Sequence, residues 1–381
     1  MNRLWIQLSL RWVLLGSLIA VTNACDRTTP AFDEAGAEAS AIRIAFSPDG
    51  KLIAAGTARN IVQLWDLETR KLRWEFAHPT ESNTKAAVVA FAPDGESFVA
   101  GYSDGSLIFW STKTGKALQQ AKAHQGEIVR VVFSKDGRYL ATECTNDRQP
   151  PLEAGKSPLP EAAVWKVDNI ERIGLFPFES KKLNQIVAFD DEHHLVVKVE
   201  FNRWQRYHVN DDEVKPAEPS DRIRLLNARK AFGRRFSASL RYSVHTEREG
   251  LHSPFVALID DWTEDEYFAS SLRDVDSLRP WHVAFGPGEN FVVIAGQGWQ
   301  EVVPGIPAAG GGQIHPAKLA VFQLHPTERT DTIETGADDR LTRIFAVAFS
   351  PDGRLVATTG QGRAPTLFEV TKKGRLRPWN P

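Results

Sequence analysis

The chain has 381 residues, of which 42% are hydrophobic and 25% charged, an ordinary composition for a globular protein with a sizeable core. The formal net charge of −2 gives no sign of a polyanion partner, so nucleic acid is not expected to bind. The length alone would allow two or three domains, but a repeat in the sequence argues for one large domain.

The first residues of the chain have the pattern of a secretory signal peptide. Arg3 and Arg11 precede or border an apolar run at 12–21, and small residues then lead to Cys25. An apolar run of about ten residues is too short to cross a membrane as a helix but matches the core of a signal peptide. We therefore predict that residues 1–24 are removed on export.

The segment that ends at Cys25 resembles the lipobox of bacterial lipoproteins. The resemblance implies that Cys25 is lipidated and anchors the protein to a bacterial membrane on its periplasmic side. Cys144 is then expected to be a small buried residue in its strand. The alternative is cleavage after Ala24 and secretion as a soluble protein, in which case Cys25 and Cys144 can form a disulfide. Residues 25–40 are small, polar and acidic, which predicts a flexible tether.

One short motif recurs along the rest of the chain. Residues 46–50 read Phe-Ser-Pro-Asp-Gly, and related copies occur at 91–95, 133–137 and 349–353. Proline fixes φ, aspartate bonds its own backbone and glycine adopts positive φ, so the motif predicts a tight turn. Apolar runs flank each copy, and apolar run, turn and apolar run together indicate a β-hairpin.

Each hairpin opens a longer unit with two further strands and short connections, as at 61–66 and 71–76. The hairpin phenylalanines that mark these units are Phe46, Phe91, Phe133, Phe189, Phe236, Phe285 and Phe349. Residues 41–381 are therefore predicted to form an all-β, seven-bladed β-propeller of four-stranded antiparallel blades. The last outer strand is expected at 374–379, with a strand around Ala31 and Phe32 as the alternative.

These motifs, with the Ser-Asp-Gly turn at 103–105, Trp65 beside Asp66, and His124 after Ala123, resemble the WD-repeat β-propeller family. In that family a histidine, a strand serine or threonine, a turn aspartate and a tryptophan are hydrogen-bonded within a blade. The resemblance implies two such structural networks, one of His124, Thr142 and Trp165 and one of His78, Asp104 and Trp110. In the second, Gly101 and Tyr102 occupy the place where serine or threonine is expected.

The insertions of the chain are predicted to share one face of the ring. The Pro-Asp-Gly turns lie on one face, whereas second-to-third strand connections and links between blades lie on the other. The longest insertions, 145–161 and 297–316, are second-to-third connections. A smaller one is expected at 247–254, and the links at 77–86 and 325–342 add to the same face.

Long loops on a rigid scaffold usually carry binding, so we expect a protein partner on this elaborated face. Arg148 and Trp299, in the two longest insertions, are the expected contact residues. The alternative is that degenerate blades accumulate insertions, which surface loops tolerate well.

No Ser-His-Asp arrangement, zinc-ligand spacing or nucleotide motif is recognisable, so no catalytic residue, metal or cofactor is assigned. The predicted function is a non-catalytic, monomeric scaffold for protein-protein interaction, held on the outer side of a bacterial membrane by its lipid anchor. The alternative is a propeller hydrolase or lactonase with a metal in the central channel.

Overall fold

The structure, a computed structural model, describes residues 41–79, 84–145, 161–177, 185–190, 193–199, 203–221, 223–224, 234–236, 242–249, 253–260, 266–267, 278–298, 317–324, 327–334, 344–360 and 364–379. Residues 1–40, with the predicted signal peptide, Cys25, the tether and the alternative strand around Ala31 and Phe32, lie outside this set. A search of the described residues finds no helix with the length and hydropathy that crossing a bilayer demands.

The described residues form seven four-stranded antiparallel sheets, called here blades 1 to 7, in which the strands are hydrogen-bonded in chain order. Blades 1 to 3 contain β1 (Ala41–Phe46), β2 (Leu52–Thr57), β3 (Ile61–Asp66), β4 (Lys71–Ala77), β5 (Ala86–Phe91), β6 (Ser97–Tyr102), β7 (Ser106–Ser111), β8 (Ala117–Lys122), β9 (Glu127–Phe133), β10 (Tyr139–Thr145), β11 (Glu161–Lys166) and β12 (Glu171–Pro177). Blades 4 and 5 contain β13 (Gln185–Phe189), β14 (His194–Val199), β15 (Arg203–Val209), β16 (Val214–Ala217), β17 (Arg234–Phe236), β18 (Tyr242–Glu249), β19 (Ser253–Asp260) and β20 (Glu266–Tyr267). Blades 6 and 7 contain β21 (Leu278–Phe285), β22 (Phe291–Gly298), β23 (Ala317–Leu324), β24 (Thr327–Glu334), β25 (Ala346–Phe349), β26 (Leu355–Thr359), β27 (Thr366–Val370) and β28 (Leu376–Pro378), with a 3-10 turn at Pro287–Glu289. The predicted all-β fold of four-stranded antiparallel blades is confirmed. The number of sheets among the described residues equals the number of hairpin phenylalanines in the sequence.

The recurring motif forms the turn between the first two strands of a blade. In blade 1 the Ser47 hydroxyl donates to Asp49 Oδ1 at 2.6 Å, and the same oxygen accepts the Lys51 backbone N–H at 3.0 Å. Gly50 completes the turn with φ of 70°. Burial alone would raise the pKa of Asp49, but the hydrogen bonds from Ser47 and Lys51 outweigh it and lower the pKa.

Successive turns also contact each other. A methyl group added at the glycine of one turn would lie 3.2–3.7 Å from the proline ring of the preceding blade's turn. The pairs in contact are Pro48 and Gly95, Pro93 and Gly137, Pro287 and Gly353, and Pro351 and Gly50. The last pair joins blade 7 to blade 1, so the turns help to close the ring.

Apolar packing between neighbouring blades forms the core. All six residues of β2 are buried, because each face of a blade lies against another blade and neither faces solvent. Ile44 and Phe46 of blade 1 pack with Ala357 and Leu367 of blade 7, which closes the ring through apolar contacts. Full burial of each large apolar side chain contributes roughly 1.5–3 kcal/mol.

The outer strand of blade 7 is β28, which pairs with β27 in the segment where the sequence predicts it. Two predicted boundaries elsewhere in the chain are wrong. The region expected as an insertion at 247–254 continues two paired strands, with Glu247 opposite Phe255 and Arg248 opposite Pro254. The expected link at 325–342 contains β24, whose backbone pairs with β23 although its sequence is largely polar. An outer strand pairs along one edge only and needs no apolar run to form.

Candidate functional site

The connections of the blades divide into two faces. On the first, which we call the hairpin face, the first and third turns of a blade meet, as where the Leu67 N–H donates to the Lys51 carbonyl at 2.9 Å. On the second, the loop face, the second turn meets the link to the next blade, as where the Ala123 N–H donates to the Gly105 carbonyl at 3.0 Å. The connections that leave β10 and β22 both begin on the loop face. Arg148 and Trp299 belong to them and lie outside the described residues.

In blade 3 the structure brings His124, Thr142 and Trp165 together at the loop face. The Trp165 indole N–H donates to Thr142 Oγ1 at 2.9 Å, and His124 Nε2 lies 2.7 Å from the same oxygen. Glu161 adds a fourth member, because its Oε1 is 2.8 Å from His124 Nδ1. A carboxylate only accepts, so Nδ1 carries the proton and donates to Glu161. Nε2 is then an acceptor for the Thr142 hydroxyl.

Sequence reasoning missed Glu161. The family pattern places the acidic group in a turn near the threonine, whereas Glu161 opens the next strand after a long connection. Only the pairing of β10 with β11, which sets Glu161 opposite Cys144, brings its carboxylate to the imidazole. No local sequence signal could have found it.

The position of His124 depends on the neighbouring blade. Its backbone N–H donates to the Gly105 carbonyl at 3.1 Å, in the Ser-Asp-Gly turn of blade 2. Gly105 has φ of +85°, and a Cβ there would lie 2.1 Å from the His124 carbonyl oxygen. Glycine is therefore required on two grounds, its positive φ and the close approach of the link.

Blade 2 contains a different network around His78. His78 Nε2 lies 2.8 Å from Ser106 Oγ, and the Ser106 hydroxyl and backbone N–H both approach Asp104 Oδ1, at 2.5 and 3.0 Å. Burial alone would raise the pKa of Asp104, but the two hydrogen bonds from Ser106 outweigh it and lower the pKa. Ser106 was not identified from the sequence. It connects two predicted members, His78 and Asp104.

The third predicted member, Trp110, does not join this network. The residue at the place of the expected serine or threonine is Ala100, and not Gly101 or Tyr102, because Ala100 pairs with Ile108 as Thr142 pairs with Ala163. The buried Trp110 Nε1 and Tyr102 hydroxyl make no hydrogen bond of ordinary geometry. Burial raises the pKa of Tyr102, and the nearby indole opposes that rise only in part.

Cys144 lies beside the blade 3 network. It is fully buried in β10, as the sequence predicts, and burial raises the pKa of its thiol to about 11. Potential ligand atoms of His124, Cys144 and Glu161 all lie within 4.8 Å of one another. Among the described residues, this is the group of side chains with the spacing to hold a metal ion. Their spacing in the sequence matches no zinc motif, so the sequence assigned no metal here.

The hairpin face also has a recessed surface. A cleft of about 350 Å³ lies between the turns of blades 3 and 4, lined by Asp136, Gly137, Arg138, Lys166, Val167, Asp168 and Asp211. Tyr139 donates to Asp211 at 2.8 Å, and Arg138 forms an exposed ion pair with it at 3.0 Å. The Tyr139 hydrogen bond holds the pKa of Asp211 below its ordinary value. The charges of the cleft are mixed and largely paired.

Comparison with known proteins agrees with this architecture. A family model for the Vps8 β-propeller matches residues 29–145. The crystal structure of the C-terminal WD40 domain of Sif2 is similar, with a TM-score of 0.59 and 13% identity over 87% of this chain and 96% of that one. The Cps50 (Swd1) β-propeller domain of Myceliophteria thermophila also has a TM-score of 0.59, with 12% identity over 88% of this chain and 98% of that one. No curated protein sequence matches the chain.

The fold is therefore that of a WD40-type β-propeller. The fold by itself does not assign a function, which has to be argued from the surfaces of the ring.

Proposed function

We propose that this protein is a non-catalytic scaffold that binds another protein through its loop face, on the outer side of a bacterial membrane. One observation carries the choice of face. Two long connections lie outside the described residues and join strands of one blade, at 146–160 and 299–316. Each joins the end of a second strand to the start of a third, and both of these strand ends lie on the loop face. Loops of this length on a rigid ring are the usual place for binding residues.

The ring beneath these loops is suited to rigid display. The first turns of blades 1, 2, 3, 6 and 7 contact one another through proline and glycine. The buried network of blade 3 holds the strands from which the 146–160 connection leaves. A scaffold that is already ordered loses little conformational entropy on binding, so more of the contact energy appears as affinity.

The face is tested by affinity purification of the full chain from its native membranes with quantification of co-purifying proteins. The test variant carries Arg148→Ala and Trp299→Ala, one change in each long connection. The matched control is Leu118→Ala, which removes a 54% exposed apolar side chain from outer strand β8. We expect the double variant to lose at least about 10-fold of a partner that the control retains. Equal recovery by all three proteins would refute binding through this face.

Membrane display rests on the lipobox-like segment that ends at Cys25. The intact mass of the purified protein should include a diacylglycerol on Cys25, and Cys25→Ser should move the protein from the membrane fraction to the soluble fraction. An unmodified Cys25 with soluble wild-type protein would support the secreted alternative instead.

The enzyme alternative, with a metal in the central channel, gains no support from the described residues. Their potential metal-ligand group lies on β10, β11 and the link before β9, and not on the inner strands that line a channel.

A further inference from the structure

We propose that His124, Cys144 and Glu161 form a Zn²⁺ site at the loop face of blade 3, a property separate from partner binding. Imidazole nitrogen, thiolate sulfur and carboxylate oxygen are the three donor types that zinc takes in proteins. Three protein ligands with a fourth, open position for water is the pattern of an accessible zinc site. All three donor atoms lie within 4.8 Å of one another.

The strand register holds two of the ligands directly opposite each other. Cys144 of β10 pairs with Glu161 of β11, and His124 reaches them from the link between blades 2 and 3. Zinc bonds of about 2.0–2.3 Å place tetrahedral ligand atoms roughly 3.3–3.8 Å apart. His124 Nδ1 and Glu161 Oε1, at 2.8 Å, must separate slightly, and the sulfur must approach. The site therefore requires these movements to come from rotation of the His124, Cys144 and Glu161 side chains.

The groups around the ligands are those that orient a zinc site. Thr142 Oγ1, at 2.7 Å from His124 Nε2, holds the imidazole with Nδ1 directed at Glu161. On binding, the imidazole changes tautomer by exchange with solvent: Nδ1 releases its proton and coordinates the ion, while Nε2 takes up a proton and donates to Thr142, whose own hydroxyl turns to the Ala163 carbonyl 3.5 Å away. The Cys144 thiol releases its proton to solvent, so binding of each ion releases one proton in all.

Access to the site is through Glu161. Cys144 is 0% and His124 2% exposed, whereas the Glu161 side chain is 25% exposed at the start of β11. A carboxylate at the surface above a buried nitrogen and sulfur provides an entry path for a hydrated cation.

Blade 2 provides an internal comparison. Tyr102 occupies the place of Cys144 in the strand register, and Ser106 occupies the place of Glu161. His78 remains, but no thiolate or carboxylate ligand accompanies it at these two positions. The ligand set is therefore specific to blade 3 and is not a feature of the repeat.

The test uses the full chain, purified with a chelator and titrated with Co²⁺ and then Zn²⁺. Cobalt bound to a thiolate gives a sulfur-to-metal charge-transfer band in the near ultraviolet, which zinc should abolish by displacement. We expect one ion per chain, with the band lost in Cys144→Ser and affinity reduced at least about 10-fold in Glu161→Gln. Cys25→Ser replaces the other cysteine of the chain and should leave the band unchanged.

Two controls make each outcome decisive. His78→Ala removes the equivalent histidine of blade 2 and should retain full binding. Far-ultraviolet circular dichroism with chelator checks that each variant folds, and Glu161→Gln tests the site if Cys144→Ser does not fold. Absence of the band in wild-type protein, its persistence in Cys144→Ser, or unchanged affinity in Glu161→Gln would overturn the proposal.

Discussion

Blades 2 and 3 place different side chains at equivalent positions of the same four-stranded sheet. In blade 3, Trp165, Thr142, His124 and Glu161 form a continuous chain of hydrogen bonds, and each buried polar atom in it has a partner. The equivalent pairs, blade 2 first, are His78 and His124, Ala100 and Thr142, Gly101 and Glu143, Tyr102 and Cys144, Ser106 and Glu161, and Trp110 and Trp165.

Blade 2 replaces the central hydroxyl with Ala100, and the chain of hydrogen bonds divides. His78 turns to Ser106 and Asp104, at the edge of the blade, while Trp110 Nε1 makes no hydrogen bond of ordinary geometry. The same sheet therefore forms with either arrangement of polar side chains, because both blades are packed on their two faces by apolar clusters. The two blades should differ in how strongly they respond to loss of a hydroxyl.

The largest effect is expected from Gly105→Ala, which breaks the contact between the two blades. Its Cβ would lie 2.1 Å from the His124 carbonyl oxygen at a φ of +85°, so the link must move. We expect a loss of about 3 kcal/mol or more in the free energy of unfolding, measured by urea denaturation. Gly50→Ala is the matched control: φ is +70° and the atom nearest to the added Cβ, Pro351 Cδ, is 3.7 Å away at an ordinary contact distance, so the loss should be about 1 kcal/mol.

Thr142→Val tests the center of the blade 3 network. The change preserves side-chain volume but leaves His124 Nε2 and Trp165 Nε1 buried without the hydroxyl they share. We expect unfolding in urea with chelator to show a loss of about 2–4 kcal/mol. A loss below about 1 kcal/mol would mean that blade 3 does not depend on this hydroxyl, just as blade 2 folds with Ala100 in its place.

Glu143 should make stability depend on pH. It is buried between blades 3 and 4, accepts the Ile186 N–H at 2.9 Å, and lies 3.6 Å from Arg130 Nε. Burial raises its pKa from 4.5 to about 7, with Arg130 opposing the rise. The folded state binds this proton more tightly than the unfolded state, so the stabilisation is complete below pH 4.5 and is lost as pH rises to about 7.

Over that interval the free energy of unfolding should fall by at most about 3 kcal/mol, because each pKa unit corresponds to about 1.4 kcal/mol. Urea denaturation at several pH values, with chelator present, measures the slope. Glu143→Gln retains an acceptor for Ile186 and should flatten the profile. Blade 2 has Gly101 at this position, so no equivalent dependence is expected there. An unchanged slope in the variant would assign the dependence to other groups.

Ser106→Ala should have the smallest effect. It removes the hydroxyl between His78 and Asp104, but the Asp104 side chain is 31% exposed and water can replace the lost donor. We expect a loss of about 1 kcal/mol in the same denaturation experiment, clearly below that of Thr142→Val. A larger loss than in Thr142→Val would reverse the comparison between the blades.

The hairpins could be predicted because their chemistry is local. Ser47, Asp49 and Gly50 interact within one turn, so their order in the sequence already specifies the hydrogen bonds that form. Strand β24 was missed because an outer strand is stabilised by backbone pairing with its neighbour, which leaves no apolar period in its sequence. Arg148, Trp299 and Cys25 lie outside the described residues, so they remain predictions.

The sequence by itself determined the repeat, the turn residues and the members His124, Thr142 and Trp165 of the blade 3 network. Tertiary structure decided what surrounds them. Ser106 and Glu161 became partners of histidines through strand register and through links between blades, over separations that no local pattern spans. Ring closure through Pro351 and Gly50 likewise joins opposite ends of the propeller sequence. The hydrogen bonds of a tight turn form between consecutive residues and can be predicted from their order, whereas the neighbours of a buried polar group depend on how distant strands pair.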